Sequence, residues 1–395
     1  MLPQTGLAQV WDKRLAGIQG MTVRSLGVEE ELLLVEPGTG QPRAVAETAL
    51  RAIRHSKADG DNLNSLADGD AAESLDFELQ RQQLETNSKP CRDLGELGQE
   101  LRRCRALAAE AAARAGARVA ALATSPVPVV PQLVRNSRYL EMASAFGLTA
   151  YEQLTCGCHV HVKIFSADEG VAVLDRIRPW LAVLLALSAN SPFWQGRDSG
   201  YASFRYQAWG RWPSSGPTDA FGTGEIYWQT VRQMVRTGTL LDTGMVYFDA
   251  RLSEHYPTLE LRIADVCLHA DDAVLIAALS RALVDTEARR WRAGVGVPHQ
   301  RTEMLRLAAW RASRSGLDDV LLNPLTGLPE PAGIVANALL EHVRDALDEE
   351  GDTDTVAELL AAVLARGNGA TFQRKAYHDG SLSSMIDSAA AATTR

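Results

Sequence analysis

Cysteine is scarce in this chain: five in 395 residues, an odd number without framework spacing. That excludes a small disulfide-stapled scaffold and fits a reducing, cytoplasmic setting. Long apolar runs are also missing. The nearest, residues 180–189, is about half of the ~20 residues that cross a bilayer as a helix, so no membrane partner is expected. Cationic excess is missing as well, with 40 Lys and Arg against 49 Asp and Glu and a formal net charge of −9. Capture of nucleic acid by bulk charge is therefore excluded, though a local basic pocket for phosphate is not. The first 20 residues place polar and charged groups where a signal peptide has its apolar centre, so no secretory leader is expected. There is no Gly-x-x-x-x-Gly-Lys-Ser/Thr loop and no glycine-rich dinucleotide fingerprint after a strand. Any nucleotide must be gripped in another way.

What is present is a chain long and apolar enough, at 46% hydrophobic residues, to bury a large core. Residues 1–22 read as a polar lead-in. The apolar runs 26–35, 118–124 and 155–164 read as strands, as do the alternating runs 245–253 and 257–266. Segments 44–55, 94–116, 138–146, 226–237 and 271–292 have helical composition, and so does 167–188, where Pro179 marks a break between two helices. Residues 75–86 read as extended or mixed, and 56–73, rich in Asp, Gly, Asn and Ser, as a mobile loop. The Gly-, Pro- and aromatic-rich stretch 190–224 reads as a long loop of the kind that carries function. Helices fill most of 300–365, and 381–395 reads as a flexible tail. With no repeat and no linker, a single α+β domain over 23–380 is expected, an antiparallel sheet covered by helices on one side.

The chemistry centres on Leu26-Gly27-Val28-Glu29-Glu30-Glu31-Leu32-Leu33-Leu34-Val35, closed by Glu36-Pro37-Gly38. In a strand, Glu29 and Glu31 share one face while Val28, Glu30, Leu32 and Leu34 share the other. Two like charges about 4 Å apart repel by roughly 4 kcal/mol at an effective dielectric near 20. Such a pair suits either a solvated edge strand or a floor for divalent metal. In the last two strands, Thr258, Glu260 and Arg262 share a face, and so do Tyr247, Asp249 and Arg251. Cys156-Gly157-Cys158-His159-Val160-His161 invites a zinc reading. A strand sends the two cysteines one way and the two histidines the other, leaving a structural histidine pair or His159 as a ligand. Glu85 shares a face with Gln83 and Asn87 if that segment is extended, and Glu78 precedes it by seven; a plain polar surface strand remains an alternative. Arg205, Trp209, Arg211 and Trp212 put guanidinium groups among aromatics, a setting that holds carboxylate or phosphate. Carboxylates capped by arginines suit Mg²⁺-bridged phosphates, so the residues reach ATP-dependent phosphoryl chemistry without naming a substrate.

Gly27-Val28-Glu29-Glu30-Glu31, Glu85-Thr86-Asn87, Thr155-Cys156-Gly157-Cys158-His159-Val160-His161, Ser188-Ala189-Asn190-Ser191-Pro192-Phe193-Trp194-Gln195-Gly196, Tyr247-Phe248-Asp249-Ala250-Arg251 and Thr258-Leu259-Glu260-Leu261-Arg262-Ile263-Ala264-Asp265 resemble, in order, the motifs of the glutamate–cysteine ligase type 2 family, the YbdK-like carboxylate–amine ligases. The resemblance runs from about residue 24 to 375. It implies a fold similar to the catalytic domain of glutamine synthetase and the guanidino kinases, a curved antiparallel sheet with helices on its outer face. It implies ATP, Mg²⁺ or Mn²⁺, and an amide bond formed through an acyl phosphate, with L-glutamate and L-cysteine as default substrates. Glu29, Glu31, Glu78, Glu85, His159 and Glu260 are then the metal-side residues. Arg205, Arg251 and Arg262 serve phosphate or carboxylate, with Tyr247 beside them at the nucleotide. A cytoplasmic homodimer is the implied assembly. A small-molecule phosphotransferase on the same fold, or a metabolite-binding homologue without turnover, is the alternative. Two departures leave the substrate pair open: Ala123-Thr124-Ser125-Pro126 stands where many members have Gly-Thr-His-Pro, and Lys163 where a small or acidic residue is expected.

Overall fold

The computed structural model describes residues 23–58 and 74–395; the lead-in 1–22 and residues 59–73 of the expected mobile loop lie outside them. Residues 56–58 continue the helix Ala46–Ala58. Strand β1, Leu26–Val35, alternates in its first half, but Leu32 to Val35 are no more than 1% exposed. Burial on both faces makes β1 a central strand. It pairs on one side with β3 (Gln83–Asn87) and on the other with β5 (Cys158–Lys163) and β4 (Arg118–Ala120). With β2 (Leu75–Asp76), β8 (Ala250–Leu252) and β9 (Thr258–Leu261), the main sheet among the described residues has seven strands in the order β2-β3-β1-β5-β9-β8, β4 joining β1. Every pairing in it is antiparallel. Two small hairpins lie apart, β6–β7 (Phe193–Trp194 with Arg197–Asp198) and β10–β11 (Val320–Leu322 with Pro329–Pro331).

Period-two alternation gives this sheet two unlike faces. Leu26, Val28, Cys158, Val160, Val162, Leu259 and Leu261 form one apolar face in the main core. Helices Leu94–Arg114, Ala167–Ile177 and Ala270–Arg292 pack on it. The first two are started by side chains that accept a backbone N–H, Asp93 from Glu96 at 2.8 Å and Ser166 from Glu169 at 3.0 Å. A 3₁₀ turn, Arg178–Trp180, separates Ala167–Ile177 from Leu181–Ser188, as Pro179 requires. Glu30 also points to the helix side. It is fully buried and meets Arg105, whose Nη2 and Nε donate to it at 2.6 and 2.8 Å. The remaining Arg105 hydrogens go to the carbonyls of Cys267, Leu268 and Thr393. A buried ion pair survives only when its hydrogen-bonding capacity is satisfied in this way.

Three expectations need correction. Residues 381–395 are not a tail: Leu382–Thr393 is a helix opened by a Ser381 capping box, with Met385, Ile386 and Ala389 fully buried against β4. Burying Met385 and Ile386 contributes about 1.5–3 kcal/mol each, which together with the helix's other buried contacts and backbone hydrogen bonds opposes the entropy of fraying that end. The strand expected over 245–253 shrinks to β8, because Tyr247 N–H donates to Ser214 Oγ and Asp249 N–H to the Gly216 carbonyl in place of a ladder. Likewise 155–157 is extended but pairs only by isolated bridges, Thr155 with Thr124 and Gly157 with Asp265. The 190–224 loop is ordered around Asp265, whose carboxylate accepts from Asn190 N–H, Ser191 Oγ and Ser203 Oγ at 2.7–2.8 Å.

Candidate active site

The second face of the sheet is where register does the chemistry. Glu31 lies opposite Glu85, Glu29 opposite His159, and Glu260 opposite both His161 and Arg251. Directly opposed side chains on one face are about 5 Å apart, so five paired strands lay these groups down as one patch. Glu78 arrives from the loop between β2 and β3, which is anchored by Gln80 Nε2 donating to the Ala150 carbonyl at 2.9 Å. The six residues form two triads, Glu29–His159–Glu260 and Glu31–Glu78–Glu85, each with one ligand atom per residue within 4.8 Å of the others. Glu29, Glu31, Glu78, Glu85 and His159 line a cavity of about 190 Å³ together with Arg251, Arg262 and Tyr247.

The two triads differ in charge balance. Glu29 Oε1 lies 3.1 Å from His161 Nε2 and its Oε2 lies 3.5 Å from His159 Nδ1. Glu260 accepts from Arg251 Nε at 2.7 Å and is also bonded to Arg262. Burial alone would raise both carboxyls, but the histidines beside Glu29 and the arginines beside Glu260 outweigh it and hold them below the usual carboxylate range. In the other triad, burial first and the neighbouring glutamates second push Glu78 up to about 8 and Glu85 well above its ordinary value. Glu31 accepts the Gly157 N–H at 2.6 Å, and Glu85 the Asn87 amide at 3.3 Å. No Lys or Arg among the described residues makes an ion pair with Glu31, Glu78 or Glu85. Buried His159 Nε2 has no hydrogen-bond partner and stands 3.9 Å from Glu31 Oε1. Packed carboxylates short of cations, beside an unbonded imidazole nitrogen, are a donor set that fits hard divalent metal.

Gly157 lets this floor close. A Cβ there would come within 2.3 Å of Arg205 Nη2 and 2.9 Å of His159 Nε2. Arg205 itself is not in the cavity lining. It is 2% exposed and sits behind the floor, 3.9 Å from Asp265 and over the Trp209 ring. Helix Phe204–Trp209 is tethered at Ser191 Oγ by the Arg205 N–H, which draws that side chain inward. Asp249 is also off the cavity, bonded to Tyr206 Oη at 3.2 Å. Ser125 turns into its own loop, donating to the Val127 carbonyl, and Lys163 ends β5 with its ammonium over Phe165. Neither departure lines the cavity. Sequence reasoning missed Arg138, Tyr139 and Met142, which reach the cavity from helix Ser137–Phe146 on the side opposite the sheet. Only their helical periodicity was readable. Cys156 and Cys158 are buried thiols that belong to neither triad, so zinc finds no cysteine among these ligands.

A family model described as glutamate-cysteine ligase family 2 matches residues 25–385. A Streptomyces avermitilis protein provisionally named glutamate–cysteine ligase 2-1 is 54% identical over 353 residues, covering 89% of this chain and 94% of that protein. A Streptomyces coelicolor protein provisionally named glutamate–cysteine ligase 2 is 52% identical over 353 residues, with coverage of 89% and 94%. Among solved structures, a glutamate–cysteine ligase from Francisella tularensis in complex with AMP aligns over 94% of this chain and 89% of its own at a TM-score of 0.64 and 11% identity. A bifunctional glutathione synthetase from Pasteurella multocida aligns over 94% of this chain and 52% of its own at 0.66 and 14% identity, so fold is what these structures share with it. Fold, basin and relatives together define an ATP-dependent amino-acid ligase. The chain belongs to glutamate–cysteine ligase family 2. Among the described residues, no helix is long and apolar enough to cross a membrane.

Proposed function

We propose that the chain joins the carboxylate of one amino acid to the amine of another using ATP, with L-glutamate and L-cysteine as the default pair. An oxygen of the substrate carboxylate bonds to the γ-phosphorus while the bond to the β–γ bridging oxygen breaks, giving an acyl phosphate and ADP. The amine nitrogen then bonds to the acyl carbon and gives up a proton to solvent. The acyl C–O bond to phosphate breaks, leaving an amide and inorganic phosphate. Glu29, His159 and Glu260 would hold one divalent cation and Glu31, Glu78 and Glu85 a second. A bound Mg²⁺ or Mn²⁺ would neutralise charge on the triphosphate.

The chain's own groups supply the rest. Arg251 and Arg262 orient the phosphates and offset negative charge on the transferring group, while Tyr247 and the aromatic wall around it limit water that would hydrolyse an acyl phosphate. Arg205 acts from behind the floor as a positioning residue. No protein nucleophile is needed. The observation that carries this reading is the convergence of six acidic or imidazole side chains, from separated parts of the chain, into two adjacent triads under two arginines. The test is ADP release by purified protein with Mg²⁺ and a panel of amino acids. Release that needs both an acid and an amine supports the ligase. Release with a single acceptor and a stable phosphorylated product replaces it with a phosphotransferase, and nucleotide binding without ADP under any mixture removes turnover altogether. The partners of this reading are small molecules, with no nucleic acid, and a cytoplasmic homodimer is its expected setting.

A further inference from the structure

Glu29 lies between two imidazoles. Period two puts His159 and His161 on the same face of β5, and they divide the Glu29 carboxylate between them. Oε2 faces His159 Nδ1 at 3.5 Å, whereas Oε1 faces His161 Nε2 at 3.1 Å. The His161 contact is close but oblique, since buried Nε2 makes no in-line hydrogen bond. The ring is nonetheless fixed from its other side. Nδ1 shares a hydrogen bond of 3.0 Å with Thr258 Oγ on the neighbouring strand β9, and Tyr256 meets the ring edge-on, with centroids 6.3 Å apart. His161 does not line the cavity and has no part in the two triads.

We infer that His161 is a positioning residue that keeps Glu29 a one-oxygen ligand, and so favours a small octahedral cation over a larger one such as Ca²⁺. The inference rests on the metal-binding part of the ligase reading above. The imidazole fills the space beside Oε1, which leaves Oε2, on the His159 side, as the oxygen offered to the triad. Mg²⁺ demands near-ideal octahedral geometry with short bonds, and one carboxylate oxygen satisfies it. Ca²⁺ is larger, accepts more oxygens and readily takes a carboxylate through both. A ring wedged against one oxygen therefore denies Ca²⁺ an atom that Mg²⁺ does not use. Thr258 makes the wedge rigid by holding the far nitrogen, the way outer partners orient metal ligands elsewhere.

The test is calorimetric titration of the full chain, without nucleotide, with Mg²⁺ and with Ca²⁺, reading the ratio of the two affinities. Glu29→Gln marks the share of binding that belongs to this triad. His161→Leu moves the ratio about tenfold toward Ca²⁺, the low end for losing a group that orients a metal ligand. Thr258→Val moves it the same way by less, and His161→Gln, which keeps an N–H to set against Oε1, stays near the wild type. An unchanged ratio in His161→Leu overturns the inference. So does an equal change in both affinities, which marks a role in charge or folding alone. If His161→Leu loses its cooperative urea transition, Thr258→Val carries the test, and an unchanged ratio there overturns the inference. If Glu29→Gln binds Mg²⁺ as the wild type does, no cation sits at this triad; the metal reading fails first, and the inference with it.

Discussion

Glu30 and its two neighbours on β1 sit one residue apart and meet opposite treatment. Glu30 faces the helices, where Arg105 and backbone carbonyls satisfy the pair completely. Glu29 and Glu31 face the cavity, where the partners are two histidines and further glutamates. The same side chain on the same strand is structural where the protein supplies its counter-charge and open to a ligand where it does not. The contrast repeats inside the basin: Glu29–His159–Glu260 is balanced by His161, Arg251 and Arg262, while Glu31–Glu78–Glu85 is not.

The largest expected effect falls on the internally balanced carboxylate. Arg105→Met strands Glu30 in the core and costs about 3–5 kcal/mol, read as a lower urea midpoint, whereas Glu30→Leu with Arg105→Met recovers most of it. A double variant no better than the single would show that the pair is not the unit that matters. Next come the cavity carboxylates, where the effect is on activity. Glu29→Gln lowers ADP release by about 10²-fold or more while unfolding stays cooperative. Glu85→Gln loses activity similarly, yet its urea midpoint in metal-free buffer holds or rises, because one of three crowded carboxyls is gone. Added Mg²⁺ at about 100 times its Kd stabilises the wild type by about 2.7 kcal/mol and Glu85→Gln by less. Equal Mg²⁺ shifts in the two proteins would break the comparison.

Asp249 sharpens it further, as a carboxyl buried with a tyrosine hydroxyl for its bonded partner. Burial raises it from 3.8 to about 7, against the pull of Tyr206 and Arg205. The folded state therefore holds the proton more tightly than the unfolded state. This contribution to stability is complete below about pH 4 and is lost as pH rises through about 7. Asp249→Asn flattens that decline, measured as urea midpoints across the window; an unchanged slope would show that the carboxyl is not titrating there. The smallest effect is expected at Arg211, paired with exposed Glu152 at 2.6 Å. Arg211→Ala changes stability by no more than about 0.5 kcal/mol and leaves ADP release intact, even though the sequence set Arg211 beside the other loop arginines.

Alternation in the sequence was enough to sort Glu29, Glu31, His159, Glu260 and Arg262 onto one face, because side-chain direction in a strand follows from period two alone. It was enough, too, for the helices with clear caps and the break at Pro179. It could not say that Glu31 would lie opposite Glu85, or Glu29 opposite His159, since register between strands far apart in the chain depends on how the whole sheet packs. Glu78 on its loop, Arg205 behind the floor, Arg138 at the rim and the buried helix Leu382–Thr393 were settled only by contacts between distant segments. Local pattern encodes which way a side chain points. Which other side chain it meets across the sheet is decided by tertiary packing, and the charge balance of the cavity carboxylates follows from that.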